Sequence, residues 1–289
     1  MIIPCEKIAL NLKRNLVKRV KKLKKRGVGL KIATIFVGTS KEQLSFIASK
    51  RKIGEKLGVK FELIHFKDAP RFDKFIRTIK NVSENPENKG VIIQQPLPAR
   101  LYTETLYEFI PLEKEIESHK NKSPYIAPIG LAVLTLLKYV FYDKKISDKL
   151  VIYEKKDANI FKQALKHKKI VLIGRGKTGG TPIGRTLSQF KINYININSQ
   201  TPSPETYYQE ADVIISAVGK KVLNATMLKP GVSLINIGLR RENGKLKGDY
   251  DEKDIKKIAG CYTTTPKGAG PIDVLYLYKN LIDASEKKS

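Results

Sequence analysis

Cysteine is nearly absent from this 289-residue chain: Cys5 and Cys261 stand alone, and only three histidines, His65, His119 and His167, accompany them. No spacing among these residues supports a disulfide framework or a Cys/His zinc site, so two reduced thiols and no metal are expected. Long apolar runs are missing as well, and none approaches the roughly 20 residues of a membrane helix. The opening MIIPCEKIAL has no basic region, apolar stretch or cleavage site of a signal peptide, so a cytoplasmic protein without a membrane partner is expected. Acidic residues are the third shortage, with 28 Asp plus Glu against 55 Lys plus Arg, a net charge of +27. Such a surface attracts polyanions. The lysines nevertheless lie in short scattered clusters such as Lys21-Lys22-Leu23-Lys24-Lys25-Arg26, with no basic tail. A solvated basic surface is therefore expected in preference to a specific nucleic-acid site.

What the chain does contain is an alternation of periodicities. Apolar residues recur at helical spacing over residues 6–26 (Ile8, Leu10, Leu12, Leu16, Val17, Val20, Leu23), and Gly27-Val28-Gly29 stops that helix. A strand over 30–37, a helix over 41–57, a strand over 60–66, a helix over 73–82 and a strand over 90–94 follow, an order that predicts a parallel sheet covered by helices. A helix over about 128–140 leads into a second unit, while the charged stretch 142–169 carries no clear period. Beyond it, short β-branched strands at 170–173, 194–197, 213–216 and 234–237 are expected, and a helix over 272–284. The predicted fold is α/β in two domains with a cleft between them. Residues 1–130 with 271–289 would form an N-terminal α/β substrate domain, and 131–270 a Rossmann-type dinucleotide-binding domain.

Three constellations carry chemistry. Strand 170–173 runs directly into Gly174-Arg175-Gly176-Lys177-Thr178-Gly179-Gly180. Glycines there let backbone N–H groups approach a pyrophosphate at a helix N-terminus, although a tight strand-to-helix turn alone explains them too. The following strand ends in Asn198-Ser199 and not in an acid. An acid would hold a ribose 2′-hydroxyl, whereas Arg175 and Ser199 suit a 2′-phosphate, so NADP is preferred to NAD. On the helix 41–57, Lys50 lies in the apolar stripe of Ile47, Ile53, Gly54 and Leu57, with Phe46 one turn before it. Snorkelling explains such a lysine, and so does proton-transfer chemistry at a partly desolvated amine. Gln94-Gln95-Pro96-Leu97-Pro98 closes a strand at its C-terminal end, where open α/β sheets place ligands.

Taken in order, these segments resemble the bifunctional methylenetetrahydrofolate dehydrogenase/methenyltetrahydrofolate cyclohydrolase family. Phe36-Val37-Gly38 with Ala48-Ser49-Lys50-Arg51-Lys52 is similar to its strand, turn and catalytic helix, and Gly90 to Pro98 to its substrate-binding strand. The glycine turn with Pro182, the strands ending at Gly219 and Gly238, and Thr265-Pro266-Lys267-Gly268-Ala269-Gly270-Pro271 resemble its cofactor and closing loops. The resemblance implies oxidation of 5,10-methylenetetrahydrofolate by NADP and hydrolysis of the methenyl product to 10-formyltetrahydrofolate. It implies Lys50, Gln94 and Glu117 as catalytic residues, and Phe46, Pro96, Gly270 and Pro271 beside them on the substrate. Gly174, Arg175, Gly176, Gly180, Ser199, Gly219, Gly238 and Leu239 would hold NADP. A homodimer is also implied, and the basic surface would favour polyglutamylated folates.

The chain departs from the family pattern at four places, one of them the stretch 142–169, which is longer and more charged than the family's usual link. Phe46 stands where the family has tyrosine, Glu115-Ile116-Glu117-Ser118 replaces Asp-Val-Asp-Gly, and Asp273 replaces a threonine. Two other readings stay open from the residues alone: a dehydrogenase of similar build with another substrate or reduced cyclohydrolase activity, and a basic nucleic-acid binder with a vestigial dinucleotide site.

Overall fold

The computed structural model of the protein describes residues 1–287, and the chain forms two compact units. One comprises Lys13–Pro128 with the chain from Val274 onward, and the other Met1–Leu12 with Ile129–Asp273. The opening residues thus sort with the second unit and not with the first, as the predicted boundaries have them. Ile3 N–H donates to the Tyr262 carbonyl at 2.8 Å, and the N-terminal ammonium to the Gly260 carbonyl at 2.7 Å.

Helix α1 (Cys5–Lys25) buries Leu16, Val20 and Leu23 at the spacing that predicts it. Strand β1 (Lys31–Val37) is buried from Ile32 to Val37, as a run that is apolar but for Thr34 requires of a central strand. Helix α2 (Lys41–Leu57) is capped by Ser40, whose hydroxyl accepts the Gln43 N–H, and ends at Gly58 in the left-handed region, φ 79°. Strand β2 (Lys60–Phe66), helix α3 (Phe72–Glu84) and strand β3 (Gly90–Ile93) complete the unit's parallel sheet, in the order β2-β1-β3. β2 lies at the edge and is only half-buried.

The second unit opens with α4 (Pro128–Phe141), apolar but for Thr135 and Lys138 and buried along Leu131–Leu134 and at Leu136 and Leu137. The unplaced stretch after it holds a helix, α5 (Glu154–Ala164), whose inward face carries a charge. Asp157 there pairs with Lys138 of α4 at 2.6 Å, both fully buried, and also accepts the Tyr153 N–H at 2.8 Å. Strand β4 (Ile170–Ile173), helix α6 (Gly180–Gln189), strand β5 (Ile195–Ile197), helix α7 (Pro204–Glu210), and strands β6 (Val213–Ser216) and β7 (Ser233–Asn236) follow. A hairpin of β8 (Arg240–Glu242) and β9 (Lys245–Lys247), a short α8 (Glu252–Ile255) and β10 (Cys261–Tyr262) end the series. The five parallel strands run in the order β10-β7-β6-β4-β5. Cys5 and Cys261 are free and buried, and burial pushes the Cys5 thiol up to about 12.

The last helix, α9 (Gly270–Lys287), brings the chain back to the first unit. There Arg19 of α1 holds Asp283 and Glu286 at 2.5 and 2.6 Å. Asn280 donates its amide to the carbonyls of Ile116 and Ile126 at 2.8 and 3.0 Å. Among the described residues no helix is long and apolar enough to cross a membrane.

Candidate active site

In the first unit, α2 presents its lysine to polar partners. Ile47, Gly54 and Leu57 are buried as the stripe predicts, whereas Lys52 and Lys56 are exposed. Lys50 Nζ donates to Gln94 Oε1 at 3.2 Å and to Glu117 Oε1 at 3.1 Å, with only 13% of the lysine side chain exposed. A snorkelling lysine would place its ammonium in water. Gln94 is one residue beyond β3 and still follows the sheet, its N–H bonded to the Ile35 carbonyl at 2.9 Å. Its Nε2 donates to the Gln95 carbonyl at 2.8 Å, so the amide oxygen is the end that faces Lys50.

Glu117 is held from both sides. Its Oε2 lies 3.5 Å from His119 Nε2, and His119 stacks on Tyr107 with ring centroids 4.1 Å apart. Burial opposes ionisation of Glu117, but Lys50 and His119 outweigh it and bring the carboxyl down from 4.5 to about 2. The loop that carries it keeps its turn without the glycine. Ser118 takes the left-handed conformation, φ 65°, and the buried Glu115 carboxylate accepts the N–H groups of Glu117, His119 and Lys120 at 2.9–3.3 Å. Phe46, one turn before Lys50, is 46% exposed, and its ring is open to a flat ligand. Pro96, after a cis Gln95–Pro96 bond, is exposed, and its carbonyl accepts from Gln43 Nε2 at 2.8 Å. Gly270 and Pro271 open α9 and belong to the other compact unit.

Two anchors of this site carry no local signal in the sequence. Tyr278 of α9 donates its hydroxyl to the Lys50 carbonyl at 2.8 Å, and a Cβ on Gly54 would overlap that tyrosine. Gln43 is the second, reaching Pro96 from the first turn of the same helix.

In the second unit the glycine turn has the build of a dinucleotide cradle. Gly174 takes φ 109°, and a Cβ there would lie 2.7 Å from the Ala217 carbonyl oxygen. Gly180, first residue of α6, packs so closely on the Gly174 carbonyl that no side chain fits. That draws the helix N-terminus up to the turn, the arrangement a pyrophosphate requires. A Cβ on Gly176 would meet nothing within 4 Å, which leaves room above the turn. Arg175 is exposed and donates Nε to Asn196 Oδ1 at 2.6 Å, and Ser199 stands exposed just past the end of β5.

The remaining cofactor residues meet at one buried acid that sequence reasoning missed. Asp249 accepts the Ser216 hydroxyl and the N–H groups of Val218 and Gly219 at 2.9 and 2.8 Å. Its carboxylate also occupies the space a Cβ on Gly238 would need. Gly219 (φ 78°) would place a Cβ 3.2 Å from the Leu239 carbonyl oxygen, and Leu239 itself is half-exposed. Asn236 completes the cluster, accepting the Asp249 N–H at 2.8 Å and donating to the Gly238 carbonyl at 2.7 Å.

A parallel sheet with a glycine turn and phosphate-suited side chains, together with a separate lysine-centred polar cluster at a strand end, defines a two-unit α/β enzyme of the dinucleotide-dependent class. Comparison with known proteins gives the family. The catalytic-domain model of tetrahydrofolate dehydrogenase/cyclohydrolase matches residues 3–117, and the NAD(P)-binding-domain model matches residues 158–289. The chain belongs to the tetrahydrofolate dehydrogenase/cyclohydrolase family, the one its motifs resemble. A curated relative, the bifunctional protein FolD of Staphylococcus carnosus, is 28% identical over 298 residues, covering 99% of this chain and 97% of its own. The solved FolD dehydrogenase/cyclohydrolase of Campylobacter jejuni superposes with a TM-score of 0.86 at 22% identity, covering 100% of this chain and 99% of its own. The Trypanosoma brucei dehydrogenase-cyclohydrolase, solved with NADP and an inhibitor, gives 0.79 at 20%, covering 100% and 98%. At these identities the solved structures speak for the two-domain α/β fold.

Proposed function

We propose that this chain oxidises 5,10-methylenetetrahydrofolate with NADP and hydrolyses the methenyl product to 10-formyltetrahydrofolate, with Lys50 as the group that handles the proton. The observation that carries this reading is the Lys50 ammonium, turned away from solvent onto Gln94 Oε1 and Glu117 Oε1. NADP, when bound, supplies the hydride acceptor for the methylene carbon. The residues Gly174, Arg175, Gly176, Gly180, Ser199, Gly219, Gly238 and Leu239 would hold it. Phe46 offers a ring face to the folate, and Pro96 shapes the rim beside it.

The hydrolytic step needs more of the protein. A C–O bond forms between water and the methenyl carbon, the bond from that carbon to one ring nitrogen breaks as the carbonyl forms, and of the two water protons one passes to that nitrogen while the other is released with the cation's charge. Lys50 Nζ is the nitrogen placed to relay the first. Gln94 fixes its position through an amide whose orientation is set by the Gln95 carbonyl. Glu117 balances the charge and has the carboxylate to hold a pterin ring.

Phe46 favours a shift in the ratio of the two activities. It cannot hydrogen-bond the amine, so hydrolysis should be slow relative to oxidation. The same reading includes a homodimer in the cytoplasm and polyglutamylated folates as substrates, the latter supported by the net charge of +27. One spectrophotometric assay tests the core of it: purified protein given methylenetetrahydrofolate and NADP should form NADPH. No NADPH above background would favour a dehydrogenase of similar build with another substrate.

A further inference from the structure

Asn196 is the side chain that fixes Arg175, and no motif draws attention to it. It sits in the middle of β5, opposite Leu172 of β4. Its Nδ2 donates to the Leu172 and Gly174 carbonyls at 3.1 and 3.0 Å. Two acceptors on the nitrogen leave no freedom in the amide: the oxygen must be the end that points outward. That oxygen takes the Arg175 Nε–H at 2.6 Å, a short charge-assisted bond. Among the described residues the guanidinium bonds through Nε, which leaves the Nη1/Nη2 edge, the one that forks onto a phosphate, for the cofactor. Just past the same strand, Ser199 is displayed by a turn: Thr201 N–H bonds the Asn198 carbonyl at 3.0 Å, and Asn198 Oδ1 accepts the Gln200 N–H at 2.7 Å.

We propose that Asn196 is a positioning residue that sets NADP over NAD, by presenting the Arg175 fork to the cofactor's 2′-phosphate. The proposal rests on the NADP reading above and adds a residue to it. An exposed arginine left to itself samples many rotamers, and a phosphate must select one of them. Here the selection is made before the ligand arrives, by an amide that is itself locked to the backbone of the neighbouring strand.

Dissociation constants for NADP and NAD, measured by calorimetry on the ligand-free protein, test this without recourse to turnover. Asn196→Leu keeps the size and removes the amide; it should weaken NADP about tenfold and NAD less than about twofold, the worth of one charge-assisted bond. Asn196→Asp keeps an oxygen on the guanidinium but neutralises it, so NADP should be lost more severely than with leucine while NAD is again little changed. In an Arg175→Ala background, Asn196→Leu should add no further loss, because the two residues act as one. Thermal unfolding shows whether each variant is folded, and the aspartate variant stands in if the leucine one is not. Equal losses for both cofactors, or additive losses in the double variant, would overturn the proposal and leave Asn196 a support for the β4–β5 edge. A wild-type preference for NAD would overturn the NADP reading itself, a result separable from the other two.

Discussion

Lys50 is held by hydrogen bonds at both ends of the residue, its ammonium on Gln94 and Glu117 and its carbonyl on Tyr278. Oxidation needs only that cofactor and folate be held face to face, whereas hydrolysis needs a proton carrier. Lys50→Met should therefore lower the cyclohydrolase rate by about 10²–10⁴-fold while dehydrogenase activity stays measurable, with both rates read on protein shown by circular dichroism to be folded. Phe46→Tyr should raise the cyclohydrolase rate; no change would mean that the missing hydroxyl is not what limits it. Glu117 makes a prediction about pH. Its carboxyl falls from 4.5 to about 2 on folding, so its ionisation stabilises the native state fully above about 4.5, and that contribution is lost as pH falls through about 2. In urea unfolding between pH 6 and pH 2.5, Glu117→Gln should flatten the acid limb of the stability curve, and an unchanged limb would show that the carboxylate is not held by its neighbours.

At the scale of elements, the packing of α9 on α2 has no room to spare. Gly54→Ala would drive a methyl group into the Tyr278 ring, whose Cζ would stand 2.8 Å from it, so a loss of about 1–3 kcal/mol in urea unfolding is expected, together with slower hydrolysis. Removing the hydroxyl with Tyr278→Phe should cost only about 1 kcal/mol. The buried pair of α4 and α5 is a second case: Asp157→Asn strands the Lys138 ammonium, and about 3–5 kcal/mol should go with it. A Lys138→Met, Asp157→Leu double variant should recover much of that loss. These elements differ in how far the sequence exposes them. α1, α2 and the central strands are legible because one period runs through each. α5 is not, because Asp157 occupies its inward face and breaks the apolar stripe that would announce it. α7, the β8–β9 hairpin and β10 are too short to show a period at all. The candidate site divides the same way. Lys50 stands out as a cation in an apolar row and Arg175 as one inside a glycine turn, but Asn196, Asp249 and Tyr278 act on residues distant in sequence and look like ordinary strand, loop and helix residues.

For the whole molecule the excess of 27 positive charges sets the behaviour toward polyanions. If the lysines are a solvated surface, duplex DNA should bind weakly, without sequence preference, and release steeply between 50 and 200 mM salt. Tight binding to one sequence at physiological salt would restore the nucleic-acid reading. The path of the chain through the two units has a consequence of another kind. Tyr278 follows Lys50 by 228 residues, so at ~5–20 residues per second the ribosome makes the helix that carries the lysine roughly 10–50 s before the hydroxyl that anchors it. For that interval the nascent α2 has its Gly54 face uncovered, and so does the part of α1 that later meets Asp283 and Glu286. The first unit is begun early in translation and closed late, which makes the growing chain, more than the finished enzyme, the species that must be kept from aggregating.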